Sequence, residues 1–302
     1  MIINPTNTHW VLVGGMLSEK SPDRFLLDIF FAYVALLNSN VPTSNIDIIV
    51  DPFPKSSHPV LSDFFAKKHI HSMDNFSKII QENKLENLMI ILNGHGDMNG
   101  LDSSNQLKPY KLITEIHNRN TLQFCAVIFG QCFAGIYNYI DVLKRDEDKR
   151  TLKDPVVCFI GASHLNSSIS GSANISENIR WSANIFLFHF FSWFITPKDI
   201  DGDGQYTLTD AFKYAGSSAS IHLIDLKHKS AIGIQKAFKA LDDVEKLISE
   251  LDTTIDKILI EQHKVEESSI KKSIEEQLGV SHTNQDPWIL NANKARDFIF
   301  SY

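Results

Sequence analysis

The chain of 302 residues is poor in cysteine and has no excess of positive charge. Three cysteines, an odd number without paired spacing, argue against a disulfide framework and for a reducing compartment. Lysine and arginine number 29 against 36 aspartates and glutamates, so no general basic field exists to attract nucleic acid or anionic lipid. Residues 1–10 are polar and lack the apolar core of a signal peptide. The densest apolar run, 185–195, is about eleven residues and carries His189, whereas a helical membrane span needs about twenty. These absences predict a cytoplasmic protein, or one exported without a cleavable signal, that binds neither nucleic acid nor membrane. An apolar fraction of 43% and a charged fraction of 22% are ordinary globular values. No repeat or low-complexity tract is visible.

What is present, up to about residue 165, is an alternation of short apolar runs with longer amphipathic ones. Residues 9–13 read as a buried strand that breaks at Gly14 and Gly15. Residues 23–37 have helical spacing, with Ser21 and Pro22 as a capping signal ahead of them. Strands follow at 46–50, closed by the turn 51–54, and at 88–92, 125–129 and 156–160, with helices at 74–83 and 109–119 between them. Strands that are apolar throughout and separated by helices imply a mainly parallel α/β sheet covered on both faces. Ligands in such sheets bind beyond the carboxyl ends of the strands. The places to look for chemistry are therefore just after Val13, Leu92, Phe129 and Ile160.

The C-terminal third differs. Residues 181–194 read as one buried helix, apolar nearly all round. Between Gly233 and Gly279 there is neither glycine nor proline, and Leu241, Val244, Ile248, Leu251, Ile255 and Ile258 form a heptad seam. One straight helix would reach roughly 70 Å at about 1.5 Å per residue, so a hairpin turning near 266–269 is expected. Residues 297–301 are a strand candidate that could rejoin the sheet. The expected organisation is a domain over 1–230, a helical hairpin insertion over 231–280 and a return to the domain over 281–302.

Two strand ends carry reactive side chains. After the third strand comes Asn93-Gly94-His95-Gly96-Asp97, and after the fourth Gly130-Gln131-Cys132-Phe133-Ala134-Gly135. In a parallel sheet these tips can be neighbours, so His95 and Cys132 can face one groove. A cysteine nucleophile needs a base or a cationic neighbour, because a free thiol is mostly protonated at neutral pH. Glycine beside the histidine offers its N–H to a developing oxyanion. Small residues after the cysteine allow a helix to start there, whose N-terminus would favour the thiolate. Cys125 and Cys158, inside apolar strands, read as core residues. A zinc site from His95, Cys132, Cys158 and His164 lacks paired ligand spacing, and His58, His69 and His71 read as solvated loop residues. No second cysteine near Cys132 supports a thiol redox role.

A hydrophobic strand ending in His-Gly, followed by one ending in a cysteine with small residues after it, resembles the caspase-like clan of cysteine peptidases. That clan includes caspases, metacaspases, legumains and gingipains, and the arrangement of residues 9–50, with Arg24 opening a helix, is most similar to the legumain type. The resemblance covers about residues 10–166, and more weakly 181–214 and the final strand. It implies a caspase-like α/β/α sandwich and a cysteine endopeptidase acting on protein or peptide substrates without a catalytic cofactor. His95 would be the general base, Cys132 the nucleophile, and the N–H groups of Gly96 and Cys132 the oxyanion hole. Arg24 would read the substrate side chain before the cut, and a guanidinium fork suits the planar oxygens of Asp or Asn. Residues 163–170 would supply a further wall, with Ser168 a candidate. Gly130 departs from the pattern, standing where metacaspases place an acidic residue. The competing expectation is a catalytically silent interaction protein working through its hairpin.

The second motif runs from Asp199 through Asp201, Asp203 and Gln205 to Asp210. Acidic oxygens at loop positions 1, 3 and 5, glycine at 6 and a carboxylate at 12 match an EF-hand-like calcium loop. Asp210 stands where glutamate is usual, which makes bidentate ligation harder and lets Mg²⁺ compete. One structural Ca²⁺ is expected there. The hairpin seam can be buried against its own second arm, against the core, in a homo-oligomer or on a partner protein.

Overall fold

The computed structural model describes residues 2–18, 23–53, 56, 58–142, 155–177, 179–252 and 255–301. Ser21 and Pro22, expected to cap the first helix, lie outside these, as does Pro54 of the turn after the second expected strand. In chain order the elements are β1 (Ile2–Ile3), β2 (Thr8–Gly15), α1 (Arg24–Asn38), β3 (Ile46–Asp51), α2 (Pro59–Ala66), β4 (Ile70–His71), α3 (Phe76–Glu82) and β5 (Asn87–Gly94). There follow β6 (Gly96–Asp97), β7 (Gly100–Leu101), α4 (Pro109–Asn118), β8 (Phe124–Phe129), β9 (Val156–Gly161), β10 (Ser170–Ser176), β11 (Ile179–Asn184) and α5 (Ile185–Ile195). The last elements are α6 (Leu208–Glu250), α7 (Lys257–His282), β12 (Trp288–Leu290), α8 (Ala292–Ala295) and β13 (Ile299–Phe300).

The chain is an α/β protein. Its central sheet has seven strands among the described residues, in the order β12-β9-β8-β5-β2-β3-β4, all parallel except β12. The continuous apolar runs explain the layering, because successive side chains of a strand point to opposite faces. Leu12, Met89, Ile91, Ile128 and Ile160 pack on one face with α1 and α5. Val11, Val13, Leu88, Ile90, Val127 and Phe159 pack on the other with α3 and α4. Each fully buried side chain of this kind contributes roughly 1.5–3 kcal/mol relative to exposure.

Several expectations are corrected. Residues 179–184 form a strand, with Trp181 in the antiparallel hairpin β10–β11, and the buried helix starts only at Ile185. Asn184 explains the switch: its side chain accepts the Leu187 N–H at 3.0 Å and caps α5. The terminal strand β13 pairs with β1 in a separate two-stranded sheet, and it is β12 that joins the central sheet, antiparallel to β9. His71, expected in a loop, lies on β4, with Nε2 3.5 Å from Asp47.

The chain divides into two compact units, Met1–Ala219 with Gln285–Tyr302, and Ser220–Asn284. The second unit is a helical hairpin, and its turn falls between α6 and α7 rather than at 266–269. Asp256 accepts the Asp252 N–H on its carboxylate at 3.1 Å, while its own N–H donates to the Asp252 carbonyl at 2.9 Å. Two aspartates thus reverse the chain without glycine or proline. Leu241, Val244, Ile260 and Ile274 are buried along the inside of the hairpin. The Ser230 hydroxyl donates to the Gln277 carbonyl, and Lys271 pairs with Glu245 at 3.6 Å. Ile255 and Ile258, expected in the seam, are 80% exposed, because Ile255 lies in the turn and Ile258 at the start of α7.

Candidate active site

Leu92 on β5 pairs with Phe129 on β8. His95 and Cys132 each come three residues later, so the two chains leave neighbouring parallel strands at matched heights. The tips touch. A Cβ placed on Gly96 would lie 3.1 Å from the Cys132 carbonyl oxygen and 2.6 Å from Nε2 of the buried Gln131. A side chain there would have to displace the buried Gln131 amide, so the close approach of the tips favours glycine after the histidine.

His95 is fixed at its backbone, donating its N–H to the Gly15 carbonyl at 3.1 Å and accepting that of Asp102 at 3.0 Å. Its ring packs edge-on against Phe25, with centroids 4.9 Å apart. Burial pushes its pKa below the ordinary histidine value; the nearby Arg24 charge pushes the same way, and Asp102 opposes. Cys132 is half-buried, and its Sγ receives the Ser168 N–H at 3.4 Å. Among the described residues no hydrogen bond joins the His95 ring to this thiol. Unliganded sites often leave that contact long. Phe133 then turns left-handed at φ 55° and donates its N–H to Asn166. The expected helix after the cysteine is instead a six-residue 3-10 segment, Ala134–Tyr139, so its dipole offers the thiol little.

Arg24 opens α1 beside these tips. Its Nη1 donates to Ser170 Oγ at 2.6 Å, and its guanidinium carbon lies 4.3 Å from the centre of the Phe25 ring. Arg24, His95 and Phe25 therefore form one cluster. Ser168, the candidate wall residue, touches Cys132 through its backbone, while its hydroxyl accepts from Asn184 at 2.8 Å. Position 130 has no room for an acidic side chain, since a Cβ there would sit 2.3 Å from Leu187 Cδ1.

The zinc alternative fails. Cys158 is fully buried within β9, opposite Ala126 of β8, and among the described residues no metal-ligand cluster contains it, His95, Cys132 or His164. Burial raises both core thiols, that of Cys158 to about 12.

The acidic loop lies between α5 and α6, and its end at Tyr206 and Thr207 meets Phe300 and Ile299 of β13. Carboxylate oxygens of Asp199, Asp201 and Asp203 lie within 4.8 Å of one another. Asp199 accepts the N–H groups of Gly202 and Gly204, which hold its pKa low, and Lys213 sits 3.4 Å from Asp201. Asp210 does not join them. It is buried, and its two oxygens take the Ile200 N–H, the Thr207 N–H and the Thr207 hydroxyl. The only contact described for Gln205 is its N–H on Asp203.

Three buried polar positions beneath the tips were not apparent in the sequence: Asp28, with Asn93 and Asn184 each donating to its carboxylate. The available signal was a lone acid inside the apolar helical run Phe25-Leu26-Leu27-Asp28-Ile29-Phe30-Phe31. A charge at a core position requires buried partners.

No family model matches the chain, and no curated protein matches its sequence.

Proposed function

We propose that the chain is a cysteine endopeptidase of caspase-like architecture that cleaves peptide bonds through a thioester acyl-enzyme. The observation that carries this reading is the matched placement of His95 and Cys132 beyond adjacent parallel strands. Cys132 attacks the scissile carbonyl carbon while His95 takes the thiol proton and passes it to the leaving amine. Water then attacks the thioester, with His95 as base, and the acid product leaves as the thiol re-forms. The N–H groups of Gly96 and Cys132 receive the oxyanion. Arg24 reads an Asp or Asn side chain, with Ser168 on the facing wall. A peptidyl vinyl sulfone ending in Asp tests this. Peptide mapping is expected to find its adduct on Cys132; labelling that misses Cys132 removes it from the mechanism.

A second reading, a silent member of the same fold acting through its hairpin, is favoured by exposed apolar residues on that unit. Ile221, Ile224, Ile258 and Val265 are all two-thirds exposed or more. Binding of a partner or a second copy without any Cys132 adduct is the outcome that reading expects.

We also propose that Asp199, Asp201 and Asp203 hold one structural Ca²⁺, with Gln205 contributing its carbonyl. Asp210 supports the loop from behind. Gathering three carboxylates costs repulsion that a cation relieves, so binding stabilises the folded state by linkage. Calcium at about one hundred times its Kd should raise the Tm of chelated protein by about 5 °C. Asp201→Ala should erase that shift; no shift in the parent protein means the loop is only a turn.

A further inference from the structure

We propose that Asp28 is the positioning residue of the site, a single buried carboxylate that ties the strand tip carrying His95 to the tip carrying Cys132. This rests on the cysteine-peptidase reading and adds to it the group that sets the two reacting side chains in register.

Asp28 lies one helical turn beyond Arg24 on α1, facing the sheet. Its Oδ1 accepts the Trp181 indole N–H at 2.7 Å. Its Oδ2 accepts the Asn93 amide at 3.0 Å and the Asn184 backbone N–H at 3.3 Å. Each arm leads to one tip. Asn93 is two residues before His95 on β5, so its bond to Asp28 fixes the end of that strand. Asn184 uses its side-chain amide to hold the Gly130 carbonyl at 2.5 Å, two residues before Cys132, and the Ser168 hydroxyl at 2.8 Å. The Ser168 N–H in turn reaches Cys132 Sγ. The path from Asp28 to the thiol therefore consists of three described hydrogen bonds, and the path to the histidine strand of one.

A carboxylate suits this post because it accepts on both oxygens and donates on neither. Burying one is unfavourable unless such partners are met, and here three donors meet it. Burial still raises the pKa of Asp28 to about 6, with the three donors and the Arg24 charge opposing that rise. Asparagine would keep both tip arms by turning its N–H₂ toward the indole, whereas alanine accepts from none of the three donors and releases both tips.

The test compares Asp28→Ala with Trp181→Phe, which removes an Oδ1 bond leading to neither tip. Both are expected to lower Tm. Only Asp28→Ala is expected to lower kcat per folded molecule on an Asp-containing peptide, by about 10²-fold with KM little changed, because a small misplacement of reacting groups costs that much. Iodoacetamide alkylation of Cys132, which needs no turnover, should slow in the same variant as the Ser168 N–H loosens from the sulfur. Asn93→Ser, which cannot reach Asp28, gives the same reading should Asp28→Ala not fold, with the kcat loss expected and alkylation unchanged. Parental kcat per folded molecule in Asp28→Ala or Asn93→Ser overturns the proposal. Failure of the peptidase reading is separate: the parent protein would show no Cys132-dependent hydrolysis. In that case the alkylation rate alone decides whether Asp28 organises the thiol, and an unchanged rate in Asp28→Ala overturns it.

Discussion

Replacing Cys132 by alanine should reduce peptide hydrolysis to background, and replacing His95 by alanine should lower kcat by about 10²–10⁴-fold with KM little changed. The two losses have different causes. Without the sulfur no thioester forms, so nothing divides the hydrolysis into two easier steps. Without the imidazole the thiol keeps its proton through most encounters, and the leaving amine lacks its acid. Cys132 in His95→Ala should still be alkylated, only more slowly. The pH profile supplies the sign. A base must be neutral to act, and burial with the neighbouring Arg24 charge lowers the His95 pKa. The acid limb of kcat/KM should therefore fall below the ordinary histidine value of about 6.5. Steady-state kinetics from pH 4.5 to 8 on both variants and the parent measure this. An acid limb that persists unchanged in His95→Ala assigns it to another group and removes His95 as the base.

The parallel sheet was legible because its long strands are mainly apolar runs between helical patterns. Residues 88–92, 125–129 and 156–160 were each expected as strands; the first extends by three residues and the other two by one each. The edges were less legible. Trp288, Ile289 and Leu290 form a three-residue strand beside β9, too short to show periodicity against the preceding Asn, Gln and Asp. The hairpin turn was hidden because a reciprocal Asp252–Asp256 hydrogen-bond pair does the work usually signalled by glycine or proline. The candidate site divides in the same way. His95 and Cys132 stand out because each is a reactive side chain just beyond an apolar strand, His95 between two glycines and Cys132 within the segment 130–135 that glycine opens and closes. Asp28, Asn93 and Asn184 do not, because their partners lie far apart in sequence and only the sheet register brings them together. Position 130 shows the converse: its glycine reads as a lost acidic anchor, whereas the Leu187 side chain packed above it leaves no space for one.

Arg24 offers the second large effect, with two readouts from one guanidinium. Arg24→Gln keeps the length of the side chain and removes its charge and fork. Hydrogen bonds to charged groups contribute about 1.5–3 kcal/mol each, so cleavage after Asp should fall about 10–100-fold. Cleavage after a neutral residue should fall much less. The Ser170 hydroxyl, 2.6 Å from Nη1, holds the guanidinium in place before substrate arrives, so little order has to be created on binding. The second readout is the acid limb. Arg24 lowers the His95 pKa through its positive charge, and removing that charge lets the histidine titrate closer to its ordinary value. The limb should therefore move to higher pH in Arg24→Gln. Asp102→Asn, which removes an opposing negative charge, should move it to lower pH. A library of peptides varied at the residue before the cut, assayed across the pH range, reads both effects together. If the parent enzyme cuts after Lys or Arg, the guanidinium does not line the pocket. An acid limb unmoved in Arg24→Gln further places its charge too far from His95 to act on the base. If the Asp preference disappears while the limb shifts upward, one residue both selects the substrate and keeps the base neutral.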